Sequence, residues 1–231
     1  MLSDFGYGLG AGCIRIALSP FTGCRIRGAS HVPRKGACII APNHISHFDP
    51  PFIGINAGRP VDWMAMQELF TNPLLGGILR WIGSFPVGRG RMDRAALRTA
   101  TERLRQGRIV GIFPEGGLRT GPQSVLEGAP IKPGVALLAQ LTRAPVLPCM
   151  ILGTDALYTP RNWIPLRRGA VWIVFGPPLD PPDENGDKEA RTEFDNRLGA
   201  VLREIYERTL REEHIPTDRL PRSPQRRKGR E

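Results

Sequence analysis

The sequence predicts an α/β protein with a mainly parallel sheet flanked by helices. Three observations predict it. Short apolar runs of strand length alternate with segments whose apolar residues recur at helical spacing. Hydrophobic residues make up 41% of the 231 and charged residues 23%, the balance of a chain that folds around a core. The 27 glycines and 23 prolines show no short period, which excludes a collagen-like chain and implies many tight connections. No internal repeat of the solenoid kind is present.

Residues 38–41, Cys-Ile-Ile-Ala, form the first buried strand. A helix is expected from Pro50, because Asp49 offers a capping carboxylate and proline suits the first turn. Residues 61–66 form a second strand, and a helix follows over 69–81. Asp93 opens the next helix; Ala96, Ala100 and Leu104 line one face and Gly107 ends it. Residues 109–113 are a strand, 134–141 a helix, and 146–151 and 171–175 strands. The last helix spans about 188–214, with Phe194, Leu198, Val201, Leu202 and Ile205 as its apolar stripe.

The chain divides into an N-terminal segment, residues 1–27, a catalytic domain over 28–214, and a basic tail, 215–231. In the first segment Leu2, Phe5, Leu9, Cys13, Ile16 and Ala17 recur at helical spacing, interrupted by Gly6, Gly8, Gly10 and Gly12. Two readings stand: an amphipathic helix lying in a membrane interface, or a helix packed on the protein's own core. No window of eighteen residues lacks a charge, so an ordinary spanning helix is not expected. Asp4 and the lack of a basic stretch before the apolar one argue against a cleaved signal peptide. The formal charge is +10, and residues 219–231 hold six basic residues against Glu231, half of that total. Such a tail suits an anionic bilayer, nucleic acid or an acidic protein, or it merely solubilises the chain. Cys13, Cys24, Cys38 and Cys149 have neither zinc-site nor redox-pair spacing and read as ordinary residues of a reducing compartment.

Chemistry is written in four segments. The first is Asn43-His44-Ile45-Ser46-His47-Phe48-Asp49-Pro50, between a strand and a helix. In a loop turning into a helix, the Asp49 carboxylate can fold back to the His44 imidazole and leave the other ring nitrogen as a free acceptor, as a general base requires. The bland alternative makes Asp49 only a helix cap and His44 a loop residue. The second is Gly83-Ser84-Phe85-Pro86-Val87-Gly88-Arg89-Gly90, whose arginine fork suits a phosphate dianion unless the loop is simply a solvated basic one. The third is Phe113-Pro114-Glu115-Gly116-Gly117-Leu118-Arg119. Gly116 and Gly117 let the backbone approach an anion, and Glu115 is placed to accept from a substrate hydroxyl or to hold an arginine; otherwise this is a turn with an exposed glutamate. The fourth, Ala144-Pro145-Val146-Leu147-Pro148, is most simply structural.

Taken in this order, the four segments resemble the phospholipid/glycerol acyltransferase family, with its Asn-His-x4-Asp, Gly-x-x-Pro-Val-x-Arg, Phe-Pro-Glu-Gly and Val-Pro-x-x-Pro blocks. Met64-Ala65-Met66-Gln67-Glu68-Leu69-Phe70 looks like the family's stretch between the first two blocks, and the resemblance spans roughly residues 26–180. It implies a glycerolphosphate-acyltransferase-like fold and transfer of a fatty acyl group from acyl-CoA or acyl-carrier protein to the hydroxyl of lysophosphatidate. His44 would take the hydroxyl proton, Asp49 would hold the tautomer, Arg89 would hold the phosphate, and Glu115, Gly116, Gly117 and Arg119 would shape the acceptor pocket. No cofactor or metal is implied, because the thioester is already activated. The expected partners are membrane lipids and the thioester carrier, and the expected place is the cytoplasmic face of the cell membrane. The sequence departs from the family at one point: where the family has Thr-Arg-Ser after its Gly, this chain has Gly117-Leu118-Arg119-Thr120, one place out of step.

Three rivals bear on this reading. The same chemistry suits glycerol 3-phosphate, another lysophospholipid or an amino-acid lipid as acceptor. A basic nucleic-acid-binding protein would explain the charge, but not the His–Asp and Phe-Pro-Glu-Gly blocks, and the tail has no aromatic residue for bases to stack on. A metal-dependent hydrolase would need ligands beyond His44, His47 and Asp49, and His31 and His214 are the only other histidines.

Overall fold

A computed structural model describes residues 22–88, 93–158 and 169–215. The interfacial segment expected over residues 2–17, Arg89 and the basic residues from 219 onward lie outside the described residues. The strands are β1 (Thr22–Arg27), β2 (Cys38–Pro42), β3 (Val61–Met66), β4 (Phe85–Val87), β5 (Ile109–Gly111), β6 (Val146–Leu152) and β7 (Gly169–Phe175). The helices are α1 (Asp49–Asn56), α2 (Pro73–Trp81), α3 (Arg94–Arg105), α4 (Val135–Thr142) and α5 (Lys188–Glu213).

The strands form one sheet in the order β1-β7-β6-β2-β5-β3-β4. Every pairing is parallel except β6 with β7. Every residue of β2, β5 and β6 is buried, as a sheet covered on both faces demands. On one face Ala100 and Leu104 of α3, Leu138 of α4 and Leu198, Leu202 and Ile205 of α5 pack against Ile39, Val110 and Met150. On the other, Phe52 and Ile53 of α1 pack with Ile40, Trp63, Leu147 and Ile151. Covering both faces puts the sheet in the middle layer, so substrates reach it only at its ends.

Two edge strands and two boundaries differ from the sequence reading. β1 lies before residue 28, yet it pairs with β7 along all six of its residues, from Thr22 to Arg27. Its alternating Cys24-Arg25-Ile26-Arg27 leaves no continuous apolar run to see, and Arg25 and Arg27 pair with Glu212 and Glu213 at the end of α5. β4 is three residues long with Pro86 inside it, which only an edge strand tolerates. The helix expected over 69–81 is split: a 3₁₀ turn, Gln67–Phe70, precedes α2, which starts at Pro73. The residue before a proline is driven out of the helical region, and the Asn72 side chain accepts from the Leu74 and Leu75 N–H groups. The strand expected to reach Phe113 ends at Gly111, although Ile112 still donates to the Ile40 carbonyl. Asp93 caps α3 through the Ala95 and Ala96 N–H groups, and Gly107 takes φ 72° just past its end, both as the sequence requires.

Candidate active site

β2, β3, β4, β5 and β6 all run the same way, so their C-terminal ends open on one edge of the sheet. Ligands of α/β sheets bind at that edge. The His44 loop leaves it from β2, the Phe113 turn from β5, and Thr154 from β6.

Asn43 begins the site. Its amide donates to the Ile151 carbonyl at 2.9 Å and accepts from the Ile151 N–H at 2.8 Å. This pair of hydrogen bonds between a buried side chain and β6 continues the ladder one residue past β2 and fixes the departure angle of the next residue. That residue, His44, is 14% exposed. Its Nδ1 lies 2.8 Å from Asp49 Oδ2. A carboxylate only accepts, so Nδ1 donates and Nε2 carries the lone pair.

Asp49 does not cap α1. It lies within the helix's first turn, and its carboxylate turns back to the loop. Oδ2 accepts from the Ile45 and Ser46 N–H groups at 2.8 Å each as well as from His44, and Oδ1 accepts from the Thr154 hydroxyl. The group is fully buried, and these four donors replace the water it lost. The His44 ring stacks on Phe113 with centroids 3.8 Å apart, and Phe113 stacks on Trp63 at 5.0 Å.

Glu115 corrects the sequence reading. It faces neither solvent nor an arginine. Oε2 accepts from the His44 N–H at 2.5 Å, and Oε1 accepts from the Ser124 hydroxyl and the Val125 N–H at 2.8 Å each. It is buried, and burial, only partly offset by these bonds, pushes its carboxyl above the ordinary glutamate value. Glu115 therefore ties the His44 loop to residues 124–125. Arg119 also touches His44, but through its backbone: its N–H donates to the His44 carbonyl at 2.8 Å. The Arg119 guanidinium donates to the Leu118 carbonyl at 3.1 Å.

Gly116 has φ 63°, and a Cβ there would stand 2.8 Å from Lys132 Cδ. Conformation and close approach both call for glycine. Gly117 follows at φ 155°. The Lys132 N–H donates to the Pro114 carbonyl at 2.9 Å, which lays its side chain along the turn. Arg89 lies outside the described residues; in sequence it comes two residues after β4, one of the strands ending at this edge.

His47 turns to Tyr158. Its N–H donates to the Tyr158 hydroxyl at 2.9 Å, and its Nδ1 also lies within hydrogen-bond reach of that oxygen. Burial and then the neighbouring His44 hold its pKa below the ordinary histidine value. Cys38 is pushed up to about 12 by burial, and Cys149 is raised for the same reason, so neither offers a thiolate nucleophile near neutral pH. The arrangement instead provides an oriented base for a hydroxyl brought by the substrate.

Thr154, Ser124, Trp63 and Lys132 were absent from the sequence reading. Thr154 alone had a signal, its place just past a strand ending at the ligand edge. The other three come from residues whose proximity only the fold creates.

Comparison with known proteins gives a consistent picture. The family model described as Acyltransferase matches residues 23–152. The 1-acyl-sn-glycerol-3-phosphate acyltransferase of Bacillus subtilis is 30% identical over 174 residues, 75% of this chain and 82% of that one. The protein of the same description from Borreliella burgdorferi is 29% identical over 73% of this chain and 66% of its own length. The crystal structure of the 1-acyl-sn-glycerophosphate (LPA) acyltransferase of Thermotoga maritima superposes with a TM-score of 0.62 at 25% identity, over 84% of this chain and 75% of that one.

Proposed function

The chain belongs to the Acyltransferase family, and from that premise we propose that it moves a fatty acyl group to the free hydroxyl of lysophosphatidate, giving phosphatidate for phospholipid synthesis. The donor is an acyl thioester of CoA or acyl-carrier protein. The observation that carries this reading is the 2.8 Å bond from His44 Nδ1 to a fully buried Asp49, which leaves Nε2 as the base. The names of the relatives support the choice of acceptor.

In the proposed reaction Nε2 takes the acceptor's hydroxyl proton as that oxygen attacks the thioester carbonyl. Asp49 stabilises the imidazolium that results. The tetrahedral intermediate collapses, the C–S bond breaks, and the departing thiolate takes the proton back from Nε2. Ester and thiol are the products, and His44 is neutral again. General base catalysis of this kind contributes about 10²–10⁴-fold. Arg89 is assigned to the acceptor phosphate, and the Gly116–Gly117 amides with Arg119 to the wall of its pocket. The enzyme meets its acceptor at the cytoplasmic face of the membrane. No helix of the described residues is long and apolar enough to cross a bilayer.

A second acceptor class is favoured by one observation. The Arg119 guanidinium is engaged with the neighbouring Leu118 carbonyl, and its place in sequence is shifted from the family pattern. Glycerol 3-phosphate, another lysophospholipid or an amino-acid lipid then becomes the competitor. An assay with labelled acyl-CoA and acyl-carrier protein against this panel decides it. Preferred esterification of lysophosphatidate is the expected result, and no transfer to any acceptor refutes the proposal.

A further inference from the structure

The helix α2 is built inside out. Its one fully buried residue is Gly76, and every other residue except Leu79 is exposed. Leu74 is 76% exposed, Leu75 41%, Ile78 51% and Trp81 38%. At about 100° per residue these four fall within an arc of roughly 120°, one continuous face. An ordinary surface helix turns such a face inward. This one turns its glycine inward, against Phe70, where a Cβ would lie 2.9 Å from the carbonyl oxygen. The face exposes on the order of 400 Å² of apolar surface, the size of the largest patch on a typical soluble monomer, which is often functional.

Position and charge select the partner. α2 starts seven residues after the end of β3, at the sheet edge where the His44 loop and the Phe113 turn emerge. Arg80 lies on the Gly76 side of the helix, over the Phe70 ring at 5.4 Å, so the apolar face itself carries no charge, while the chain as a whole is +10. Tryptophan at one end of an apolar stripe, on a chain of net positive charge, is an arrangement that sits at the level of lipid headgroups. The reaction proposed above supplies the reason for such a surface: its acceptor and its product both have acyl chains held in a bilayer. Resting on that reading, we propose that the Leu74–Leu75–Ile78–Trp81 face of α2 inserts into an anionic bilayer surface and holds the His44 edge against it.

Two measurements on the full chain test this. The first is co-sedimentation with vesicles of phosphatidylcholine and phosphatidylglycerol at high salt, where electrostatic attraction by basic segments is screened. The variant Leu74→Gln/Ile78→Gln/Trp81→Gln should bind at least tenfold more weakly than the parent and melt at the same temperature. Its transfer rate to acceptor dispersed in detergent should stay within about twofold of the parent, while its rate to acceptor in vesicles falls with binding. The second is quenching of tryptophan fluorescence by brominated phospholipid. Of the four tryptophans, Trp63 and Trp172 are buried and Trp163 lies outside the described residues, so the measurement is made in a Trp163→Phe background, where the quenched component should shrink markedly in Trp81→Phe. Unchanged vesicle binding in the triple variant, or unchanged quenching in Trp81→Phe, overturns the proposal. A lowered melting temperature with binding retained assigns the face to another segment of this chain, and self-association that the triple variant abolishes assigns it to a second copy; either also overturns it. The detergent assay of the parent separates the two levels. No transfer there refutes the acyltransfer reading, while the binding and quenching measurements still judge the surface.

Discussion

Asp49→Asn isolates charge from geometry. The Asp49 carboxylate has three N–H donors on Oδ2 and one hydroxyl on Oδ1. An asparagine can place its oxygen at the Oδ2 position and keep all three N–H bonds. Its NH₂ then meets Thr154, whose hydroxyl can rotate to accept instead of donate. All four contacts survive, and a buried charge is removed, so the fold should hold with a melting temperature within a few degrees of the parent. The lost quantity is the attraction between a carboxylate and the imidazolium that forms as the acceptor attacks. At about 4 Å between charge centres and an effective dielectric near 20, that attraction is about 4 kcal/mol. The expected loss in kcat is therefore on the order of 10³-fold, because about 1.4 kcal/mol is a factor of ten. KM for the acceptor should change little, since Asp49 is buried behind His44. Initial rates with labelled thioester at saturating lysophosphatidate, alongside a thermal melt, supply both numbers. Turnover within threefold of the parent, with the melt unchanged, would mean that no imidazolium develops and that His44 is not the base. Asp49→Ala is a poorer probe, because it strands four buried donors at about 1–3 kcal/mol each and threatens the fold.

The other predictions follow from the same contacts. His44→Ala should abolish transfer while the circular dichroism melt stays near that of the parent; retained turnover would refute the mechanism. Glu115→Gln cannot satisfy all three of its donors, since its NH₂ must face an N–H or a hydroxyl, so stability should fall by about 1–3 kcal/mol and kcat should fall while the acyl-donor KM holds. Asp195 has a buried Oδ1 with no hydrogen-bond partner among the described residues, and burial raises its carboxyl from 3.8 to about 6. The folded state thus holds this proton more tightly than the unfolded one: the penalty is absent below about pH 4, grows between pH 4 and 6, and is complete above. Asp195→Asn should therefore stabilise the protein at pH 8, by on the order of 1 kcal/mol after allowance for solvent screening, and lose that advantage at pH 4; thermal melts at both values check the sign.

The parallel sheet was legible because its central strands are buried on both faces and so appear as unbroken apolar runs. Residues 38–41 and 146–151 needed nothing more than that. β1 and β4 escaped because each signal is short: the alternation of β1 spans only Cys24-Arg25-Ile26-Arg27, and β4 is three residues with a proline inside. The break before α2 was written in Asn72-Pro73, and helical periodicity outweighed it. In the site, the His44–Asp49 pair was legible because its spacing is local, and a loop running into a helix closes it without help from elsewhere. Glu115 was not, because its partners His44 and Ser124 come from other parts of the chain: its distance from His44 in sequence is 71 residues. A lone glutamate beside two glycines carries no sign of whether it will face a ligand or its own backbone.

The two buried carboxylates act on the same residue. In the proposed reaction His44 takes and returns a proton, so it must not drift between the two transfers. His44 is gripped at every group that could turn. Asp49 holds the ring at Nδ1, Glu115 holds the backbone N–H, the Arg119 N–H holds the carbonyl, and Phe113 presses on one ring face. Nε2 alone is left for chemistry. The grips come from two places, Asp49 at the start of α1 and the 113–119 turn after β5, and Asp49 and Glu115 are themselves fixed by Thr154 after β6 and by Ser124 in the loop beyond β5. Turning the imidazole would break the Nδ1–Asp49 bond and unstack the ring from Phe113, while the two backbone bonds hold the residue from which the ring projects. The orientation is thus set by the folded chain itself, which is where a loop residue most needs help from its scaffold.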